Sequence, residues 1–239
     1  MTQAMATLRV FRWHHPDVVP RYDTFQVPVG PRTTVLEALL AIRTGRDPTL
    51  TLRHSCLHAS CGTCGVRVNG SEALACVTPL AGATGDVTIE PLANAPVVSD
   101  LVVDMGDFYD HLTPPGRPLL RASEPVAGAA GGSRFEDCIE CGLCVSACPV
   151  SGSDPGYLGP AGLTAAWRVI EEPRGADPAG VLALVDDAQG CWRCHLAMEC
   201  SRACPAGVDP AGAIMSLRRR LMRRRLGGLR RGRRLEVAP

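Results

Sequence analysis

Apolar and polar residues alternate in short runs through the first hundred residues. Thr7–Phe11, Asp23–Val29, Val66–Asn69 and Asp86–Glu90 are each punctuated by Gly, Pro or Asn, and alternation of that length predicts strands of a small sheet. Between the second and third runs the period changes. Val35, Leu36, Leu39, Leu40 and Ile42 recur at helical spacing behind Thr34-x-x-Glu37, a capping box, and ahead of Gly45, placed as a stop. One helix is expected to cross the sheet.

Beyond Pro96 the pattern predicts helices. Ser99 is read as an N-cap before Leu101, Val102, Met105, Phe108 and Leu112. Residues 113–133, rich in Pro and Gly, read as a loop. Gly159-Pro160, Asp177-Pro178 and Asp209-Pro210 each set a first-turn proline ahead of an apolar stretch. The last of these helices keeps Ile214, Leu217, Leu221 and Met222 on one side and is expected to end at Gly227-Gly228. The fold class is therefore α+β, with a division near residue 97.

Length and charge narrow the class. The 239 residues suffice for two domains. There is no Lys, and ten of the 25 Arg lie between Arg218 and Arg234; residues 1–217 hold 15 Arg against 23 acidic residues, a net −8. An acidic body carries a basic tail. The first residues lack the pattern of a secretory signal or presequence, and no apolar run reaches the ~20 residues of a membrane span. Membrane association is expected to be peripheral.

Twelve cysteines are too many to be incidental and too diluted for a disulfide mini-scaffold. Cys56-x4-Cys61-x2-Cys64, closed by Cys76, has the plant-type 2Fe-2S spacing. Cys138-x2-Cys141-x2-Cys144-x3-Cys148-Pro149 is the bacterial ferredoxin run, whose fourth Cys serves the other cluster of a pair. Cys194-x2-Ala197-x2-Cys200-x3-Cys204-Pro205 overlays it position for position, with Ala197 where the second Cys would stand. By that crossing, Cys138, Cys141, Cys144 and Cys204 hold a 4Fe-4S cluster. Cys148, Cys194 and Cys200 supply three thiolates, a set suited to 3Fe-4S with a raised potential. Cys191 is left as a buried free thiol or a fourth ligand to the third cluster. A zinc-stabilised nucleic-acid-binding module is the reading from another class.

At these residues the sequence resembles the iron-sulfur subunits of succinate dehydrogenase and fumarate reductase over essentially its whole length. Arg53-His-Ser-Cys56, Asn69-Gly70 leading to Leu74-Ala-Cys76-Val-Thr-Pro79, Asp100-Leu-Val-Val-Asp-Met105 with Phe108-Tyr109, Gly159-Pro-Ala-Gly-Leu163 and Arg193-Cys-His195 carry the resemblance with the cysteines. It implies a plant-ferredoxin-like β-grasp domain over residues 1–97 and a helical dicluster domain over 98–239. It also implies electrons passing from the FAD of a flavoprotein subunit through the three clusters to a quinone at membrane anchor subunits, which in some complexes carry haem. No catalytic base is expected in this chain, and a peripheral place on the cytoplasmic face of the bacterial inner membrane is implied.

Pro149 and His195 carry over as quinone contacts, although Val150-Ser-Gly-Ser-Asp-Pro155 lacks the tryptophans common in quinone-reducing members. That departure keeps a non-quinone acceptor open. His54 and His58 flank Cys56 as surface or supporting residues, and His14-His15 is expected at the surface without a carboxylate partner. The Arg-rich tail reads either as a solvated helix end or as a contact to anionic lipid. A nucleic-acid role is disfavoured, because the interleaved aromatics of single-strand binders are absent.

Overall fold

The computed structural model describes residues 4–16, 19–82, 85–116, 137–172 and 178–235. Alternation in the N-terminal third produces β1 (Ala4–Arg12), which buries Ala6, Leu8, Val10 and Arg12 on one face and pairs antiparallel with β2 (Arg21–Val29), Leu8 opposite Phe25. α1 (Val35–Gly45) follows, its capping box formed by Thr34 Oγ1 accepting from the Glu37 amide at 3.2 Å and Glu37 Oε2 accepting from the Thr34 amide at 2.9 Å. Its inner face buries Val35, Leu36, Ala38, Leu39 and Ile42. β3 (Gly65–Val68), β4 (Ser71–Leu74) and β5 (Asp86–Glu90) complete a sheet of order β2-β1-β5-β3-β4, with β5 parallel to β1 and the other neighbours antiparallel. A five-stranded mixed sheet gripped by one helix is the expected β-grasp arrangement.

β4 escapes the alternation, because Ser-Glu-Ala-Leu has little strand preference of its own. The turn imposes it. Asn69 and Gly70 both hold positive φ, 50° and 79°, and join Val68 to Ser71 as a two-residue hairpin.

The helix expected behind Ser99 is absent. β6 (Val97–Ser99) and β7 (Val102–Val103) form a small antiparallel pair instead, and α2 starts only at Gly106, running to Gly116. The cause is Asp100, which has φ 45° and is fully buried. Its carboxylate accepts from the amides of Trp13 (3.0 Å) and Thr51 (2.8 Å) and pairs with Arg12 Nε at 3.1 Å. Those bonds outweigh the few tenths of a kcal/mol per residue that helix propensity offers. Leu101 and Val103 consequently turn into the core of the first sheet. The loop expected from residue 113 is corrected over 113–116, where α2 continues to Gly116; its remainder, 117–133, lies outside the described residues.

Arg12 is also fully buried, with its guanidinium on Asp100, Asp23 (3.0 Å), Asp47 and Thr49 (2.7 Å). His14 joins this network through Ser99 Oγ (2.8 Å) and Asp100 (3.3 Å). The expectation of a surface His14 without a carboxylate partner is thus corrected, because the β6–β7 turn folds back onto the end of β1. His15 is exposed.

In the C-terminal half α4 (Gly159–Glu171), α5 (Pro178–Val185) and α7 (Pro210–Leu235) start at the expected Pro positions. They enclose a core of Tyr157, Leu163, Ala166, Ile170, Leu182, Val185, Cys191, Ile214, Leu217 and Leu221. Two single-turn helices, α3 (Leu143–Ser146) and α6 (Glu199–Arg202), carry cysteines between them. α7 does not stop at Gly227-Gly228. Each Gly there costs only about 1 kcal/mol of helix propensity, and the surrounding Arg and Leu are good helix formers.

Candidate iron-sulfur sites

The first cysteine set is built by a loop and a hairpin. Cys64 and Cys76 flank β3 and β4, where Gly65 pairs with Leu74, and both are buried. The loop from Cys56 to Cys61 turns through Leu57 (φ 64°) and Ala59 (φ 62°), aiming its amides inward. Cys56 Sγ accepts from the amides of His58 (3.5 Å), Ser60 (3.2 Å) and Cys61 (3.3 Å), and Cys76 Sγ from that of Ala59 (3.3 Å). These bonds, the His58 amide foremost, lower the Cys56 thiol to about 7, whereas burial raises Cys64 to about 11. Sulfur ligands with N–H donors aimed at them fit a thiolate-bound iron cluster, whose positive charge would offset the burial of Cys64. His54 and His58 are exposed, and the His58 ring turns back to the Cys56 carbonyl.

The second and third sets interlock through a repeated backbone. In the first copy Glu140 and Gly142 hold φ 53° and 77° before α3; in the second, Leu196 and Met198 hold 60° and 65° before α6. Cys141 and Ala197 occupy matching places between them. After each helix the chain carries its last Cys across to the other set. One cavity is lined by Cys138, Cys141, Cys144 and Cys204, and a second by Cys148, Cys194 and Cys200 together with Pro149, His195 and Ala197.

Burial raises Cys141 and Cys200 to about 11 and Cys144 well above its ordinary value, with neighbouring sulfurs adding to the effect. Four sulfurs so placed fit a cubane that supplies the missing positive charge; the second cavity offers three sulfurs and a methyl group. Cys191 lies fully buried in the core beside α7 and does not line that cavity. Pro149, His195, Leu196 and Met198 are exposed at its mouth, Leu196 by 39% and Met198 by 47%.

Two junctions fix the first set to the second, and neither was foreseen from sequence. A Cβ on Gly62 would meet the Ile139 carbonyl oxygen at 2.7 Å and Cys141 Cβ at 2.8 Å; one on Gly65 would meet Leu143 Cδ1 at 2.9 Å. Asn94 donates through Nδ2 to the carbonyls of Val145 (2.9 Å), Ser146 (3.0 Å) and Cys148 (2.9 Å), while Ser146 Oγ accepts from the Ala93 amide and donates to Glu72 (3.0 Å). Gly62→Ala is expected to cost about 1–3 kcal/mol through overpacking and strain at φ 71°. Urea denaturation with iron counted before and after checks it; unchanged stability would contradict the close packing.

Comparisons with known proteins place this architecture. A family model described as a 2Fe-2S iron-sulfur cluster binding domain matches residues 7–110, and one described as a 4Fe-4S dicluster domain matches residues 134–208. The fumarate reductase iron-sulfur subunit of Mycobacterium tuberculosis is 41% identical over 218 residues, covering 84% of this chain and 87% of its own. The chain belongs to the succinate dehydrogenase and fumarate reductase iron-sulfur subunits. Within this family, the succinate dehydrogenase iron-sulfur subunit of Paracoccus denitrificans is 36% identical over 231 residues, covering 90% of this chain and 87% of its own. A chain of the Mycobacterium smegmatis Sdh1 complex in the apo form shares the fold, with TM-score 0.83 at 24% identity over 93% of this chain and 98% of that one. As a family member the chain serves electron transfer, with 2Fe-2S and 4Fe-4S clusters as cofactors. Among the described residues no helix is long and apolar enough to cross a membrane.

Proposed function

We propose that this chain relays single electrons between the FAD of a flavoprotein subunit and a membrane quinone. Cys56, Cys61, Cys64 and Cys76 would hold the 2Fe-2S cluster in a unit of residues 1–97. Cys138, Cys141, Cys144 and Cys204 would hold 4Fe-4S, and Cys148, Cys194 and Cys200 a 3Fe-4S cluster, in a unit of residues 98–239. When bound, the clusters supply one-electron oxidation and reduction. The protein's part is spacing, burial and hydrogen bonds to sulfur; hydride chemistry on succinate or fumarate belongs to the flavoprotein.

The third set carries this reading: three sulfurs with Ala197 at the fourth position, opening at the exposed rim of Pro149, His195, Leu196 and Met198. Membrane anchor subunits with quinone, and haem where they carry it, would cover that rim on the cytoplasmic face of a bacterial inner membrane. Low-temperature EPR on the purified complex, with iron and acid-labile sulfide counted, tests it. An oxidised 3Fe-4S signal, joined on reduction by 2Fe-2S and 4Fe-4S signals, is expected; a colourless protein without sulfide would restore the zinc reading. One observation favours a non-quinone acceptor instead: Val150-Ser-Gly-Ser-Asp-Pro155, which follows Cys148-Pro149, carries no tryptophan. Assays with quinones and soluble acceptors separate the two.

The basic end of α7 supports a lipid contact. Arg219, Arg220, Arg223 and Arg224 are exposed beside Met222 and Leu226, while Arg218 donates to the carbonyls of Cys191, Trp192 and Cys194 and Arg225 pairs with Asp186. At ~1 kcal/mol per Arg near an anionic surface, replacing those four by Gln is expected to weaken binding to phosphatidylglycerol vesicles by up to about 10³-fold. Equal binding by both proteins would leave the tail a solvated helix end.

A further inference from the structure

Arg218 opens the run of arginines on α7, yet it is half-buried where its neighbours Arg219 and Arg220 are exposed. Its guanidinium meets three main-chain oxygens. Nε donates to the Cys191 carbonyl at 2.8 Å, and Nη2 donates to the carbonyls of Trp192 at 3.1 Å and Cys194 at 2.6 Å. Residues Cys191–Arg193 form a single 3-10 turn, too short to pair these carbonyls within itself, so they converge on one planar donor fork. The segment that leads into Cys194 is thereby held by one permanent positive charge.

Trp192 braces that charge. Its indole Nε1 donates to Asp186 Oδ1 at 2.6 Å, the same oxygen that Arg225 meets at 2.6 Å, and its ring centre lies 5.7 Å from the Arg218 guanidinium carbon and 5.1 Å from that of Arg225. The start of α7 holds the other side of the third set. Ser201, next to Cys200, donates to Asp209 Oδ1 at 2.5 Å and accepts from the Ala211 amide at 3.0 Å. One helix therefore fixes the segments of both Cys200 and Cys194. Arg218 stands outside the wall of the cavity that Cys148, Cys194 and Cys200 line, and it reaches the set through main chain.

We infer that Arg218 is a positioning residue that sets redox potential: its guanidinium fixes the Cys191–Cys194 main chain and holds the third cluster at a higher potential than its ligands alone would give. Reduction adds one negative charge to the cluster, and a cation fixed on a ligand's own main chain in a half-buried place favours that state more than it would in water. The exposed arginines further along α7 are screened by solvent and salt, so the effect belongs to Arg218 rather than to the basic run as a whole. This inference rests on the proposed placement of a cluster at Cys148, Cys194 and Cys200.

The test is an EPR-monitored potentiometric titration of the intact complex, comparing the unaltered protein with Arg218→Gln, which removes the charge, and Arg218→Lys, which keeps the charge and gives up the fork. Equal iron and sulfide content shows that the site has assembled. In Arg218→Gln the third midpoint is expected to fall by about tenfold in the reduction equilibrium, 59 mV for one electron. A smaller fall is expected in Arg218→Lys, and an unchanged first cluster in both. An unchanged third midpoint in Arg218→Gln, equal shifts in all three clusters, or a fall in Arg218→Lys as large as that in Arg218→Gln overturns the inference. Where Arg218→Gln assembles no third cluster, Arg218→Lys decides: a lowered third midpoint supports the inference and an unchanged one overturns it. The spectrum of the unaltered complex tests the cluster placement separately: a four-iron signal at this site corrects the nuclearity and leaves the comparison valid, and no cluster at the site overturns both.

Discussion

Ala197→Cys is expected to abolish the oxidised 3Fe-4S signal and to produce a second 4Fe-4S signal on reduction. Ala197 sits between Leu196 and Met198 on a backbone that repeats the Glu140–Gly142 segment around Cys141, so a sulfur placed there would meet the cavity of the third cysteine set as Cys141 meets that of the second set. The fourth thiolate adds negative charge, and the potential is expected to fall by on the order of 200 mV, within the wide span such clusters cover. For one electron that is roughly 10³-fold in the equilibrium for accepting it, so quinone turnover is expected to fall steeply while the flavoprotein's own dye-linked activity persists. EPR and parallel assays check both parts; survival of the three-iron signal would mean that Ala197 does not mark the open corner.

Arg12→Ala is expected to destabilise the N-terminal half by about 3–5 kcal/mol, because it leaves the fully buried Asp100 carboxylate without its cation. Arg12→Lys is expected to recover only part, since an ammonium lacks the planar fork that meets Asp23, Asp47 and Asp100 together. Urea midpoints at neutral pH check the ranking, and equal midpoints would contradict it. The same network has a pH signature. Hydrogen bonds from Thr49 and Arg12 lower Asp47 from 3.8 to about 2. Its folded value lies below its unfolded one, so the stabilisation is present above about pH 4 and is lost as pH falls towards 2. Asp47→Asn is expected to remove that loss, which circular dichroism over the interval reads.

The cysteine runs were legible from sequence because ligand spacing is covalent information: which residues can reach one cluster depends on a few intervening bonds, and the family models match a 2Fe-2S and a 4Fe-4S dicluster domain over them. The Thr34–Glu37 capping box and the prolines opening α4, α5 and α7 were legible for a similar reason, being local. What failed depended on distant partners. The run after Ser99 has helical period, yet Asp100 answers to Arg12 and Thr51, which lie 88 and 49 residues away. His14 was misjudged through the same contact. Asn94 carries no pattern at all, since its importance comes from three carbonyls that another segment brings to it.

At Gly62 the loop of the first cysteine set rests on the backbone of Ile139 and Cys141 with no room for even a methyl group. Where side chains separate two bodies, rotamer changes let the gap breathe by an ångström or more. Main chain against main chain has no such slack. The gap that an electron must tunnel across between the two halves is therefore governed by backbone stiffness. Transfer at this junction should vary little with temperature or with substitutions on the surrounding surface, and the two halves should move as a single rigid piece.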